Sequence, residues 1–393
     1  YTTGRADALA KTGFGYSVYG SFAYGVARPE LSGIEPATTW SMDTWGEYLV
    51  ACADTDGKLY EWQLDFSTPT PAAVITNAPT DCESVMVTGE RFVFALGAGG
   101  NPRKVAWCDQ ENNTVWTPTT LNQAGDYELV TPGTLMAGKR VRGINLLWTN
   151  TDVHSAQYVG QPFIYGFEKI GSGCGLISKQ SVAVVESNAI WMSQSGFWLF
   201  DGAVRPLPCD VGDYVYRNLN ASQSSKIYAV HMTAYGEVWW FYPSANTTEV
   251  DSYVMYNYRE GHWNIGTLAR SCGTSSGVFK NPLLVSTDGY IYEHEYGLVP
   301  DTEGVFLESG PIQLGAGDNI MMAKELIPDE LNLGDVEVSF STKFYPNDTE
   351  YSHGPYTSAR PTPVRFTGRQ VRMKIQQVVP SDWRVGTMRL DVA

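Results

Sequence analysis

Short apolar runs, each opened by Gly or another turn residue, recur along the first three quarters of the chain. They begin at Gly46 (GEYLVACA), Gly89 (GERFVFALG), Gly138 (GKRVRGINLLW), Asn188 (NAIWM), Gly236 (GEVWWFY) and Asn281 (NPLLVS), at spacings of roughly 43 to 50 residues. Runs this short, rich in β-branched and aromatic side chains and bounded by turn residues, predict strands rather than helices. Each is followed by a second, aromatic strand: KLYEW after Asp56-Gly57, KVAW and TVW, AQYVG, GFWLF, YVMYNY, and GYIYEHEY after Asp288-Gly289. The Asp-Gly steps predict tight hairpin turns, because Gly tolerates positive φ. In residues 171–202, GSGCGLISKQSVAVVESNAIWMSQSGFWLFDG, the segments VAVVESNAIWM and FWLF read as two strands joined by SQSG. Helix signals are few, CDVGDYVYRNLNASQ being the main one.

A unit of this spacing matches a four-stranded blade, which cannot bury both of its faces alone and so stacks radially on its neighbours. The expected fold is therefore all-β: a β-propeller of about six blades over 39–299, with a multi-sheet β-sandwich as the alternative. A Gly/Tyr-rich strand or ribbon is expected at 1–38. A small C-terminal β domain is expected at 300–393, with a projecting loop at 347–363 (NDTEYSHGPYTSARPTP).

Composition supports this picture. Of the 393 residues 43% are hydrophobic and only 18% charged, with 39 Gly, 21 Pro, 12 Trp, 23 Tyr and 15 Phe, the balance of a strand-and-turn protein. No apolar run approaches the length of a membrane-crossing helix. The chain opens on Tyr1 rather than Met, so its start is expected to be processed or incomplete.

Charge changes the picture more. The formal net charge is -15, which argues against gripping nucleic acid over the whole surface. From Tyr356 onward, seven cations (Arg360, Arg365, Arg369, Arg372, Lys374, Arg384, Arg389) face two acids (Asp382, Asp391), so this tail is 7 − 2 = +5 and the rest about -20. Arg365, Arg369 and Arg372 are the candidate interaction residues, suited to acidic faces of a neighbour. Their irregular alternation around Gly368 does not require a shared face.

The candidate chemistry is sparse. Six cysteines (Cys52, Cys82, Cys108, Cys174, Cys209, Cys272) lie far apart with no C-x-x-C pair, which fits scattered buried thiols, with up to three disulfides as the alternative. GTSSG at 273–277 matches the nucleophile-elbow spacing, but strand and hairpin follow it where a helix is needed. ADTDG at 53–57 has the look of a calcium loop, yet Cys52 and Gln63 fall at ligand positions, leaving a plain hairpin turn. No zinc spacing joins His154, His231, His262, His294 and His353. In EHE (293–295), strand alternation places Glu293 and Glu295 on one face and His294 on the other. The Gly spacing of GFGYSVYGSFAYG (13–25) lacks the strand, helix and Lys of a phosphate loop and predicts an extended ribbon instead. Trp191, Trp198, Trp239 and Trp240 are expected to pack blades. No catalytic residue, cofactor or metal site is nominated.

The order of segments resembles the tail nozzle or tail hub proteins of short-tailed bacteriophages, a group that includes packaged-DNA stabilisation proteins. The residues carrying the resemblance are YSVYGSFAYG, Trp40-Ser41-Met42-Asp43 with Trp45 to Val50, DGKLYEW, the strands of 171–202, REGHWNIG at 259–266, and the end GRQVRMKI with DWRVGTMRLDV. The resemblance implies a non-enzymatic virion protein, made in the host cytoplasm. It implies a homohexameric ring below the portal and head-tail adaptor, contacts to tail fibre or needle proteins, and a conduit through which double-stranded DNA passes without specific binding. An acidic chain suits a lumen that must not hold its cargo. The alternative from the residues alone is a carbohydrate-binding propeller, a lectin or glycoside hydrolase, because rings of Trp and Tyr stack on sugars as well as fill cores.

Overall fold

The computed structural model describes residues 4–10, 34–64, 67, 70–275, 277–297, 299, 305–315, 317, 319–329 and 335–393. The chain divides into two compact units, 1–294 and 295–393. The segment 13–25, expected as a ribbon, lies outside the described residues.

Unit 1 is a propeller of six antiparallel sheets, each a simple meander in chain order. Blade 1 runs Trp40–Trp45, Tyr48–Ala53, Leu59–Trp62, Ala73–Val74. Blade 2 runs Ser84–Val87, Val93–Leu96, Lys104–Trp107, Gly125–Glu128. Blade 3 runs Leu135–Val141, Ile144–Thr149, Asp152–Gly160, Ile164–Ser172. Blade 4 runs Val182–Val185, Asn188–Ser193, Gly196–Phe200, Val204–Leu207, and blade 5 Tyr228–Met232, Glu237–Tyr242, Ser252–Asn257, His262–Thr267. Among the described residues blade 6 has three strands, Cys272–Thr274, Leu283–Val285 and Ile291–Glu293.

The recurring apolar runs are the second strands of the blades. In GKRVRGINLLW the first residues end the inner strand, and Arg142 and Gly143, with φ of 53 and 77, turn the chain between Val141 and its partner Ile144. Two consecutive positive φ values are what a two-residue hairpin with right-handed twist needs. The run VAVVESNAIWM is a hairpin rather than one strand: Val185 pairs with Asn188, and Glu186 takes φ 51 between them. TVW is not a strand either; Trp116 is buried and its indole N–H donates to Asn113 O at 2.6 Å.

These second strands read as continuous apolar runs because both faces of each blade are covered. Val50, Cys52 and Leu59 of blade 1 pack on Val85 and Val93 of blade 2. Phe94 and Trp107 of blade 2 meet Leu147 and Tyr165 of blade 3. Trp148 and Trp191 join blades 3 and 4 edge to face at 5.6 Å, and Phe197 and Trp240 join blades 4 and 5 at 5.0 Å. Val230 and Phe241 of blade 5 close on Leu284 of blade 6. Neighbouring residues of one strand thus serve different cores: Val85 and Val87 face blade 1 while Met86 faces blade 3.

The N-terminal residues lie against the link between blades 4 and 5. Leu9 pairs with Glu35 and Ala10 with Ile34, Ala8 N–H donates to Gln223 Oε1, and Lys226 Nζ reaches Asp7 at 2.8 Å. That link carries the expected short helical turns, Gly212–Arg217 and Ala221–Lys226.

Unit 2 is a small sandwich. One sheet contains Phe306–Glu308, Gln370–Gln377, Val336–Lys343 and Tyr351–Thr357, with Ile312–Gln313 added beside Gln370–Gln377. The other contains Thr362–Gly368, Met321–Ile327 and Arg389–Val392. Val338, Phe340 and Ile375 of the first sheet pack on Ala323, Leu326 and Phe366 of the second. The expected projecting loop at 347–363 is corrected by the strand Tyr351–Thr357. It pairs with Val336–Lys343, where His353 shares a hydrogen bond of 2.9 Å with Thr342.

Candidate functional site

The inner strands of all six blades surround one cavity of about 660 Å³. Its wall is Trp40 to Met42, Ser84 and Val85, Ala137 to Lys139, Lys179 to Val182, Ala229, and Cys272 to Thr274, joined by Leu283, Val285 and Ile291 of blade 6. Lys179, beside the inner strand of blade 4, reaches across to blade 2 and blade 1. Its ammonium donates to Glu83 Oε2 and Glu83 O, both at 2.8 Å, and lies 3.6 Å from Asp54 Oδ2. The next residue, Gln180, donates its amide to Trp40 O at 2.7 Å.

Asp54 also accepts the N–H and hydroxyl of Thr39, at 3.1 and 2.9 Å. Glu83 and Asp54 are thus both engaged by donors, and the arrangement ties blades 1, 2 and 4 together. No grouping of three or more metal-ligating side chains occurs among the described residues.

The sequence motifs resolve individually. Asp56 turns its hairpin by accepting Lys58 N–H at 3.1 Å and Tyr60 O–H at 2.6 Å, and Gly57 has φ 59. Asp288 repeats the device with Tyr290 N–H at 3.0 Å and Tyr292 O–H at 2.8 Å. In GTSSG, Gly273 and Thr274 belong to the inner strand of blade 6 and a further strand follows; Ser276 lies outside the described residues. In EHE the strand ends at Glu293 and Glu295 has φ 59, so the alternation does not reach Glu295. His294 accepts the Arg270 Nε–H at 2.9 Å, and burial together with that cation pushes its imidazole down to about 4. All six cysteines are free thiols, which removes the disulfide alternative; burial pushes those of Cys52, Cys82 and Cys108 up to about 12. Trp191 and Trp240 are fully buried, their indole N–H groups donating to Cys174 O and Ser181 O. Trp198 packs at the margin of the blade 3–4 core that holds Trp191, and Trp239 at the margin of the blade 5–6 core.

The three candidate arginines occupy different places in unit 2. Arg372 binds Glu308 at 2.7 Å and Glu350 at 3.3 Å, fastening strands of its own sheet. Arg369 sits half-buried at the turn after Gly368, its backbone N–H donating to Lys343 O. Arg365 is exposed between the inward Val364 and Phe366. With Lys324 it rims a hollow of about 440 Å³ floored by Met322, Tyr356, Pro363 and Val364. Strand alternation puts Arg365 and Arg372 on opposite outer faces of the sandwich.

Two features escaped sequence reasoning. Blade 1 turns an apolar groove of about 520 Å³ away from blade 2, lined by Trp40, Met42, Leu49, Tyr60 and Trp62. Among the described residues blade 6 ends in an edge strand, Ile291–Glu293, with every residue exposed. The available signal was that GYIYEHEY at 289–296 passes directly into the loop sequence GLVPDTEG at 297–304.

No family model and no curated protein matches this chain. Among solved structures it is similar to a protein from Lactobacillus plantarum (TM-score 0.41, 10% identity, covering 65% of this chain and 83% of that one). It is also similar to the dihydro-heme d1 dehydrogenase NirN (0.38, 10%, 84% and 67%) and to a putative exported protein from Bacteroides fragilis (0.37, 11%, 62% and 78%). The assignment as a propeller rests on the sheets of this chain itself.

Proposed function

We propose that this chain is a structural subunit of a short-tailed phage tail, a nozzle or hub. Copies ring an axial conduit that retains and then passes double-stranded DNA, beneath an adaptor and in contact with fibre or needle proteins. The observation that carries the reading is the acidity of the larger unit, 18 Lys/Arg against 28 Asp/Glu or -10 over 1–294, with Arg365 and Lys324 exposed together on unit 2, itself net -5. A ring of such copies has cations available for acidic neighbours and leaves the larger unit acidic, so that few phosphates are neutralised and DNA is not held. The test is imaging of native particles containing the chain. Six copies around a pore wide enough for duplex DNA support the proposal, and a chain found in no particle overturns it.

The blade 1 groove favours a second reading, a sugar-binding propeller, because Trp40, Tyr60 and Trp62 present aromatic surface in one hollow. Glycan binding that Trp62→Ala abolishes is the result that selects it.

A further inference from the structure

Six blades stacked in a closed ring need six apolar interfaces, and five buried clusters join blades 1 through 6 in order. Among the described residues no buried cluster joins blade 6 back to blade 1. On the blade 1 side Met42 is 53% exposed; on the blade 6 side Ile291 is 68% exposed. Among the described residues blade 6 also has three strands where the other five have four. Its outermost strand is held by Leu284 opposite Tyr292, by Ser286 N–H to Tyr290 O at 2.9 Å and by His294 N–H to Pro282 O at 2.8 Å. That register aims the N–H and C=O groups of Ile291 and Glu293 outward. Exposed edges of this kind are templates for further pairing unless covered.

The chemistry of the seam is apolar with a negative rim: Glu293 stands on the same face as Ile291, and Asp288 lies at the neighbouring turn. The hollow on unit 2 has the opposite character, apolar at Met322, Tyr356, Pro363 and Val364 with Lys324 and Arg365 at its rim.

We propose that the seam between blades 6 and 1 is the docking site for a second copy of this chain, entered by the Lys324 and Arg365 face of that copy's C-terminal unit. Opposite charge around matched apolar floors sets the orientation. Because each copy carries both patches, the contact is head to tail, the kind that closes into rings. The inference rests on the ring reading above and names its contact.

The experiment is sedimentation of the full chain at about 50 mM and about 1 M salt, where surface charge is weakly and strongly screened. Four variants accompany the wild type: Glu293→Lys, Arg365→Glu, both together, and Glu293→Gln as a mild control for folding. Wild type is expected to associate at low salt and less at high salt. Each single reversal is expected to weaken association by at least about tenfold, and the double variant to regain it, since Lys then faces Glu across the contact. Single reversals that fold and associate like wild type overturn the seam while leaving the ring standing. A wild type that stays monomeric at every concentration and salt also overturns the seam contact, and copy number in native particles then decides the ring reading separately.

Discussion

The Lys179 ammonium of blade 4 lies 2.8 Å from the Glu83 carboxylate of blade 2, across the axis of the propeller. Its side chain is only 13% exposed, whereas that of Glu83 is 41% exposed, so one partner is largely desolvated and the other partly screened. Removing Glu83 or Asp54 would leave a buried cation with one countercharge in place of two, and removing the cation leaves two acids near the axis without it. Lys179→Met is expected to cost about 1–2 kcal/mol, below the range for a fully buried pair because Glu83 meets solvent. Urea denaturation of Lys179→Met, Glu83→Gln and the double variant measures it; additive losses would show the pair to be uncoupled.

Indoles on the two sides of blade 1 and in the blade 3–4 core should differ sharply. Trp191→Ala removes a fully buried ring and the donor to Cys174 O, an expected loss of about 3–5 kcal/mol. Trp62→Ala, at the open groove, is expected to cost about 1 kcal/mol or less in the isolated chain. Equal losses in thermal unfolding would mean that the groove is covered in the isolated chain.

Acid should weaken unit 1 through His294. Its folded pKa is lowered from 6.5 to about 4, so between those values the unfolded chain takes up a proton that the folded chain refuses. The stabilisation is full above about 6.5 and is lost as pH falls toward 4. His154, His231 and His353 are lowered too, mainly by burial, and act in the same direction. His294→Asn keeps an acceptor for Arg270 without a titrating ring. Its unfolding midpoint should therefore fall less than wild type between pH 7 and 4, and parallel curves would exclude the assignment.

Arg372 and Arg365 should separate stability from assembly. Arg372→Glu places a third acid beside Glu308 and Glu350 and is expected to destabilise unit 2 by about 1–2 kcal/mol. Arg365→Glu, on an exposed outward position, should leave the unfolding midpoint within about 0.5 kcal/mol. Denaturation monitored on both variants checks this, and the reverse ranking would contradict the placement.

Hydrogen exchange gives a backbone test of the edge. The amides of Ile291 and Glu293 point away from their partner strand, so they should exchange far faster than Tyr292, which faces it. Protection at all three would require a covering strand.

Much of this fold was legible because each blade repeats the same physical problem. Second strands buried on both faces, such as VFAL at 93–96, announce themselves as apolar runs, and Asp56 and Asp288 mark turns through the same pair of hydrogen bonds. Turns lacking Gly at the first corner were harder. Glu186 at φ 51 hides a hairpin inside VAVVESNAIWM, since nothing in a Glu-Ser step requires positive φ. The site was barely legible. Lys179 and Glu83 are far apart in sequence and meet only because three blades converge on one axis, and the fate of Arg372 depended on Glu308 arriving from another strand and Glu350 from the loop before Tyr351.

A ring latched by five cores and, among the described residues, left without a sixth is, mechanically, a split washer. A load applied along its axis would be relieved first by spreading at the slit, where no buried ring stack has to be parted, and Gln180 and Lys179 would act as the stays that limit the spread. The compliance of the whole toroid is thereby set by a few polar contacts near its bore rather than by the aromatic packing that fills most of its volume.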